Sequence, residues 1–416
     1  MNVLVGSAFI VFGSQSFALT TTDDVSNGSI VSTPIFADGG AVLEVEGGTL
    51  GGVLESRDEV LMDVIQKLNI LAHSIIGEFN KIHSSGQGLE RYGDLTGLNG
   101  VASSTFPIAI AGTATSTSVS RDTIVDSSLI GFPDVTGQDI VVFSGDNTLE
   151  RRRIVSFDSS NGTIVLEEEL PTALKEGDRF QISSLGFEVR NGSFDLVLTN
   201  ELTGVQTTAN IAVDLDKLPA GPGLDDTSLQ DIVDQINTVA PGVIVASITI
   251  DGELRVRSLS SDVKFSFADD SSGVLGALGM NVLFTGDRAE NAAVNTAIVD
   301  NPRLFAAARS NRSGDNSNAL AMGDLREAPS VLGISSFDDY YQSLIGDIAA
   351  QTAGFQGRLE SQELINQQLA NQRERISGVN IDEEAVNMMT YQRAFQASAR
   401  FIGIVDQMLD TLINGL

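Results

Sequence analysis

The chain contains no cysteine, no tryptophan and only two histidines in 416 residues. Without cysteine there is no disulfide framework, no thiolate nucleophile and no sulfur-ligated metal. Basic residues are also scarce: 25 Lys and Arg stand against 55 Asp and Glu, a net charge of −30. That balance excludes nucleic acid and anionic membrane as expected partners, because both need a cationic patch to displace counterions. No uninterrupted apolar run approaches the roughly 18 residues of a spanning segment, so no membrane insertion is expected. The opening MNVLVGSAFIVFGSQSFALT has no Lys or Arg, and none occurs before Arg57. It therefore lacks the basic start of a signal peptide, and its Val, Ile and Phe, interrupted by Gly6 and Gly13, predict strands.

Catalytic chemistry finds little to use. His73 and His83 fall in one helical segment, too far apart for the i, i+4 pair of a zinc-binding H-E-x-x-H helix, and are expected at the surface or its boundary. There is no G-x-S-x-G nucleophile elbow and no G-x-x-x-x-G-K-[ST] phosphate loop. GGTLGG at 47–52 lacks the lysine and reads as a turn leading to a helix. Acidic clusters occur at Asp214 and Asp216, Asp225 and Asp226, Glu167–Glu169, and Asp269 and Asp270, without the spacing of a calcium loop. They read as solvated carboxylates. The N-G-[ST] triplets at Asn27, Asn161 and Asn191 read as hairpin turns rather than glycosylation acceptors. No catalytic residue, metal ligand or cofactor is assigned.

What the sequence does contain is helical periodicity near both ends. Ser56 is the candidate N-cap of a first long helix, with Glu59 as its capping-box partner. Leu61, Ile65, Leu68, Ala72, Ile75, Phe79 and Ile82 then alternate in steps of four and three, a coiled-coil-like stripe that SSGQG stops. A second helix is predicted from Ser336 to about Ile376, with Tyr341, Ile348, Phe355, Leu369 and Ile376 on one seven-residue repeat interrupted by Gln362. Leu344 and Ile365 lie beside it. The third begins at an Asn380–Glu383 capping box and carries Ile381, Met388, Phe395, Ile402, Leu409 and Leu416 at every seventh position. Tyr391, Val405 and Leu412 follow three residues after members of that series. Helices of this length with one apolar stripe need a partner, since propensity alone does not hold them in water.

Between the first two helices the period falls to two. RRRIVSF and GTIVLEEEL, joined across Asp158–Gly162, predict a hairpin within an all-β module. Further on, FEV and SFDLVLT flank Asn191-Gly192, and GVIVASITI and ELRVRSL flank Asp251-Gly252. Between those pairs, TSLQDIVDQIN puts Leu229, Ile232, Val233 and Ile236 on one helical face, which predicts one helix over an antiparallel sheet. NPRLFAAARS and NSNALAMGDLRE predict short helices. The expected fold is α+β and multidomain, with long coiled-coil-like helices from both ends forming a stalk that carries β-rich insertions. Its boundaries are a strand segment 1–50, first helix 51–86, all-β insertion 87–186, α+β insertion 187–284, returning stalk 285–378 and terminal helix 379–416. The helices bracketing the insertions are expected to pack antiparallel.

GGTLGGVLESRDEVLMDVIQKLNILAHSIIGEFNKIHSSGQGL resembles the G-G-x-L-G-G-x-L-x-x-R-D opening and following helix of the flagellar hook-associated protein 1 family. SGVNIDEEAVNMMTYQRAFQASARFIGIVDQMLDTLINGL resembles that family's C-terminal signature, and GDNSNALAMGDLRE resembles its return segment. The terminal pattern is shared with rod and hook proteins, and the two ends together single out the family, over about residues 47–90 and 300–416. The resemblance implies a non-catalytic hook–filament junction component, exported by the flagellar type III pathway to the extracellular flagellum. The implied partners are copies of itself in a helical ring, hook protein, a second junction protein (hook-associated protein 3) and an export chaperone. It further implies subunit packing through the terminal stripe. A helix that the family places before the first strands has no counterpart here, so a fragment is expected. Two other readings stand beside this one: another hook- or rod-type axial protein, and a surface glycan-binding or hydrolase module on residues 121–284.

Overall fold

The structure is a computed structural model that describes residues 2–26, 29–45, 47–118, 120–217, 226–377 and 381–414. It divides into two compact units, Met1–Leu344 and Ile345–Leu416. The first unit opens on strands, as the sequence predicts: Val3–Val5, Ala8–Phe12 and Gln15–Ser16 form one small sheet. Leu19–Ser26 and Ser29–Phe36 follow as a two-stranded ribbon. Asn27, expected in a turn here, lies outside the described residues.

The first helix starts earlier than its capping signals suggest. It runs from Gly48 to Ser84, with a wider π-helical turn at Ser56–Leu61. Ser56 is therefore not an N-cap; its backbone is helical (φ −62°, ψ −39°) and its N–H bonds back to Gly52 and Val53. The GGTLGG stretch is the first turns of the helix rather than a turn before it. Glycine disfavours a helix by about 1 kcal/mol per residue, but continuation into a long regular helix overrides that cost here. At the π turn Arg57 pairs with Asp58 and donates to the Ser32 carbonyl, tying the ribbon to the helix. By length and composition alone Gly48–Ser84 could cross a membrane, contrary to expectation. Its buried side chains, however, include Asn69, Asn80 and His83, all bonded to protein backbone.

Residues 110–182 form a six-stranded sheet ordered Ile110–Thr113, Arg179–Ile182, Asp139–Val142, Arg151–Asp158, Thr163–Leu166, Thr123–Val125. The Arg151–Asp158 strand turns a corner at a register shift between Ile154 and Ser156, pairing with one neighbour before it and another after it. This curvature brings the edge strands together. The Thr115 N–H reaches the Val125 carbonyl at 2.8 Å, and the Asp126 carboxylate accepts the Thr113 N–H at 2.8 Å. Inside lies a core that includes Ile124, Leu129, Ile140, Ile154, Ile164 and Phe180. The predicted hairpin is present, with Asp158 opposite Thr163.

The next elements form two three-stranded sheets rather than the single sheet expected. Gly192–Asn200 lies between Gln206–Val213 and Val263–Ala268. Leu254–Ser258 lies between Ile244–Ile248 and Asp94–Thr96. Asn191-Gly192 is not a hairpin turn: Gly192 starts a strand whose turn falls at 201–205, and Asn191 accepts the Leu215 N–H instead. The helix Leu229–Val239 buries Leu229, Ile232, Val233 and Ile236, as its spacing predicts, behind a Ser228–Asp231 capping box. Short helices Thr296–Asp300 and Ser317–Asp324 lead to the long helix Phe337–Ser377. Ser336 caps it by accepting the Asp339 N–H at 3.1 Å.

The expected antiparallel packing of the first helix with this long one is not observed within the first unit. The first helix packs instead on Val274–Ala277, Ser317–Asp324 and Phe284–Thr285. The long helix meets it through its first turn, where Phe337 stacks on Phe79 with centroids 6.4 Å apart. The second unit contains the remainder of Phe337–Ser377 and the terminal helix Ile381–Asn414. Asn380, the expected cap, lies outside the described residues.

Candidate functional site

The first helix has two faces, and the apolar one is not the one it buries. Positions 69, 73, 76, 80 and 83 repeat in the same four-three steps as the predicted stripe, shifted by one residue. That shift turns the face by about 100°. Its members are Asn69, His73, Ile76, Asn80 and His83, largely polar, and four of the five are fully buried. Each polar side chain binds the backbone of the returning segment. Asn69 accepts the Ala289 N–H at 3.1 Å, and His73 Nδ1 lies 3.2 Å from the Asp287 carbonyl. The Asn80 amide donates to the Phe284 carbonyl and accepts the Leu283 and Phe284 N–H groups. His83 Nδ1 lies 2.7 Å from the Asn281 carbonyl, while Nε2 accepts the Ala306 N–H at 2.9 Å. That pair of partners fixes a neutral ring with its proton on Nδ1.

His83 is thus not a surface residue, whereas His73 lies at the boundary, partly exposed. His83 is fully buried, and burial pushes its pKa down to about 4. His73 stacks on Phe187 with centroids 4.5 Å apart, and enclosure lowers it to about 4 as well, against the pull of Asp287. The return segment reciprocates at the helix end. The Asn281 amide donates to the His83 and Gly86 carbonyls at 3.1 Å, and its Oδ1 accepts the Tyr92 hydroxyl at 2.8 Å. Asn318 donates to the Ile82 and Ala306 carbonyls. Carbonyls of the last turn, which have no partner within a helix, are satisfied in this way.

The predicted apolar stripe lies beside this polar one, largely half-exposed. Leu61 and Leu68 are exposed; Ile65, Ile75 and Phe79 are partly covered, Phe79 by Phe284 and Phe337. In the long helix Tyr341 and Leu369 are exposed, Ile348 and Phe355 are half-buried, and Arg358 lies over the Phe355 ring. On the terminal helix Ile381, Met388, Tyr391, Phe395, Ile402, Leu409 and Leu412 are all exposed, Phe395 by 76%, and Val405 is half-buried. No side chain described on that helix is buried.

The acidic clusters have structural uses where they are described. Asp270 accepts the Ser272, Gly273 and Leu275 N–H groups around the start of the short helix Val274–Ala277. Glu169 pairs with Arg121. Among the described residues no three His, Asp or Glu side chains gather as a metal site.

A family model described as the flagellar hook-associated protein FlgK helical domain matches residues 1–99, and one described as the flagellar basal body rod FlgEFG protein C-terminal matches residues 370–415. Hook-associated protein 1 of Escherichia coli is 33% identical over 174 residues, covering 38% of this chain and 32% of that protein. The Bacillus subtilis protein of the same name is 29% identical over 106 residues, covering 25% of this chain and 21% of that one.

Over part of its length this chain is similar to flagellar hook-associated protein 1.

The alignments span about a third or less of the length of the relatives they match. The first family model reaches back to residue 1, so the opening strands belong to the match as well as the helix after them. Among solved structures, the flagellar hook junction protein FlgK from Burkholderia pseudomallei aligns over 90% of this chain and 74% of that one, at 13% identity and a TM-score of 0.33.

Proposed function

We propose that the chain is a structural axial component of the bacterial flagellum that joins hook to filament by helical self-assembly, with no catalytic step. The observation that carries this reading is the terminal helix: an apolar residue at every seventh position, exposed throughout, on a segment that matches a flagellar axial C-terminal model. Burying one Leu, Ile or Phe side chain contributes about 1.5–3 kcal/mol. Eight seam positions therefore offer on the order of 10 kcal/mol gross per helix, enough to offset the entropy of association. Head-to-tail contacts through such a seam extend a tube rather than close a pair.

In this reading Ile381, Met388, Tyr391, Phe395, Ile402, Val405, Leu409 and Leu412 pack between subunits. Leu61, Ile65, Leu68, Ile75 and Phe79, with Tyr341, Ile348, Phe355 and Leu369, complete a coiled-coil stalk upon assembly. Residues 87–186 and 187–284 are insertions carried outside that stalk. Hook protein and hook-associated protein 3 are the axial neighbours. The chain leaves the cell unfolded through the type III pathway, a route compatible with its lack of cysteine, and a chaperone covers the seam beforehand. Phe395→Asp places a charge in the seam and is expected to abolish incorporation at the junction, while the melt of residues 1–344 is unchanged. Normal filament attachment by that variant would refute the packing role. A hook- or rod-type role is the second reading, favoured by the description of the C-terminal match. Binding of the purified chain to hook ends but not to filament-side junction protein would select it.

A further inference from the structure

The only two histidines of the chain share one face of one helix, and both bind the backbone of the same returning segment. We propose that His73 and His83 form an acid-sensitive latch that holds residues 281–306 on the first helix, and that protonating them releases that segment. His83 is the bond that breaks. Its Nε2 accepts the Ala306 N–H, so a proton placed there sets two donors against each other and orphans a buried amide. His73 keeps its contact to the Asp287 carbonyl when protonated, but it must then hold a charge between Phe187 and Phe143.

The surroundings offer little compensation. The polar groups bonded around His83 include Asn281, Asn318 and the Tyr92 hydroxyl, with Arg309 reached through Asn318. Tyr92 is itself pushed up to about 12 by burial, so it stays neutral throughout. His73 faces Asp287 and Arg288 on the return segment, of opposite effect. Glu78 and Lys81 from its own helix, and Arg179, Glu188 and Arg190 from the strand side, line the cavity of about 480 Å³ next to it. Glu188 pairs with both of those arginines, which leaves Glu78 as the other carboxylate of that lining.

The sign follows from linkage. Both folded-state values lie near 4, below the ordinary 6.5, so the unfolded or released form binds more protons between them. The latch is fully effective above about pH 6.5 and weakens as pH falls towards and through 4. Each histidine changes the closed-to-open ratio by up to ~300-fold across that window.

Selective ¹³C labelling of histidine in the full chain gives two imidazole signals, assigned with His73→Gln and His83→Gln. Both are expected to titrate well below 6. Hydrogen exchange, corrected for its intrinsic pH dependence, should show protection of 281–306 falling between pH 6.5 and 4.5 ahead of residues 110–182. In His83→Gln that pH dependence should shrink. An imidazole titrating at 6 to 7 in the folded chain would overturn the proposal, as would protection of 281–306 that stays constant relative to 110–182. If His83→Gln does not fold, the wild-type titration and exchange data decide by themselves.

Discussion

Asn281→Ala tests whether a side-chain amide holds the end of the first helix. Asn281 is buried and sits at φ 52°, in the left-handed region that Asn tolerates better than Ala. Its amide gives two bonds of 3.1 Å to the His83 and Gly86 carbonyls and accepts one of 2.8 Å from Tyr92. Truncation removes three bonds in a site closed to water, at about 1 kcal/mol each, and adds roughly 1 kcal/mol of backbone strain. The expected loss is roughly 3–5 kcal/mol, a large share of the 5–15 kcal/mol typical of a domain. Asn281→Gly loses the same bonds without the strain, so it should be less destabilised than Ala by about 1 kcal/mol. Urea unfolding at pH 7.5, with hydrogen exchange on the amides of residues 62–84, measures both. If Ala falls within 0.5 kcal/mol of wild type, roughly the noise of such data, the capping argument fails. If Gly is as damaging as Ala, the strain argument fails.

Other outcomes follow from the same structure. Asp126→Ala removes the buried carboxylate that accepts the Thr113 and Ser128 N–H groups at 2.8 Å and should cost about 1–3 kcal/mol, visible as early exchange of residues 110–125. Gly112→Ala would place a methyl 2.2 Å from the Phe180 ring, so overpacking should lower stability by about 1–3 kcal/mol in thermal unfolding. Wild-type stability should decline from pH 6.5 towards pH 4 as both histidines gain protons on unfolding, and His73→Gln/His83→Gln should flatten that decline. Phe395→Asp should leave unfolding of the first unit unchanged while blocking incorporation.

Much of the secondary structure is legible in the residues. Leu229, Ile232, Val233 and Ile236 mark a helix because their spacing and their burial coincide, and Ser336 caps where its neighbours Asp338 and Asp339 suggest. The first helix is different. There periodicity identifies a helix and its apolar stripe but not the polar face the unit buries, because Asn69, Asn80 and His83 are buried by hydrogen bonds that no hydropathy pattern registers. Their partners are backbone groups some two hundred residues later, a relation that local spacing does not encode. Asn191-Gly192 misleads for a similar reason: the turn chemistry is right, but Asn191 is used by Leu215 and the chain turns elsewhere. The terminal stripe is readable as apolar and periodic, and the structure leaves it exposed.

The curled sheet of residues 110–182 has a consequence for crowding. A lattice holds its subunits at an effective concentration on the order of millimolar, where any open strand edge is a template for pairing with the next copy. Thr115 and Asp126 close the edges of this sheet upon each other, so neighbouring copies find no ladder to extend. In the proposed assembly this sheet would offer a neighbouring copy no strand to pair with, which would leave contact across it to side chains.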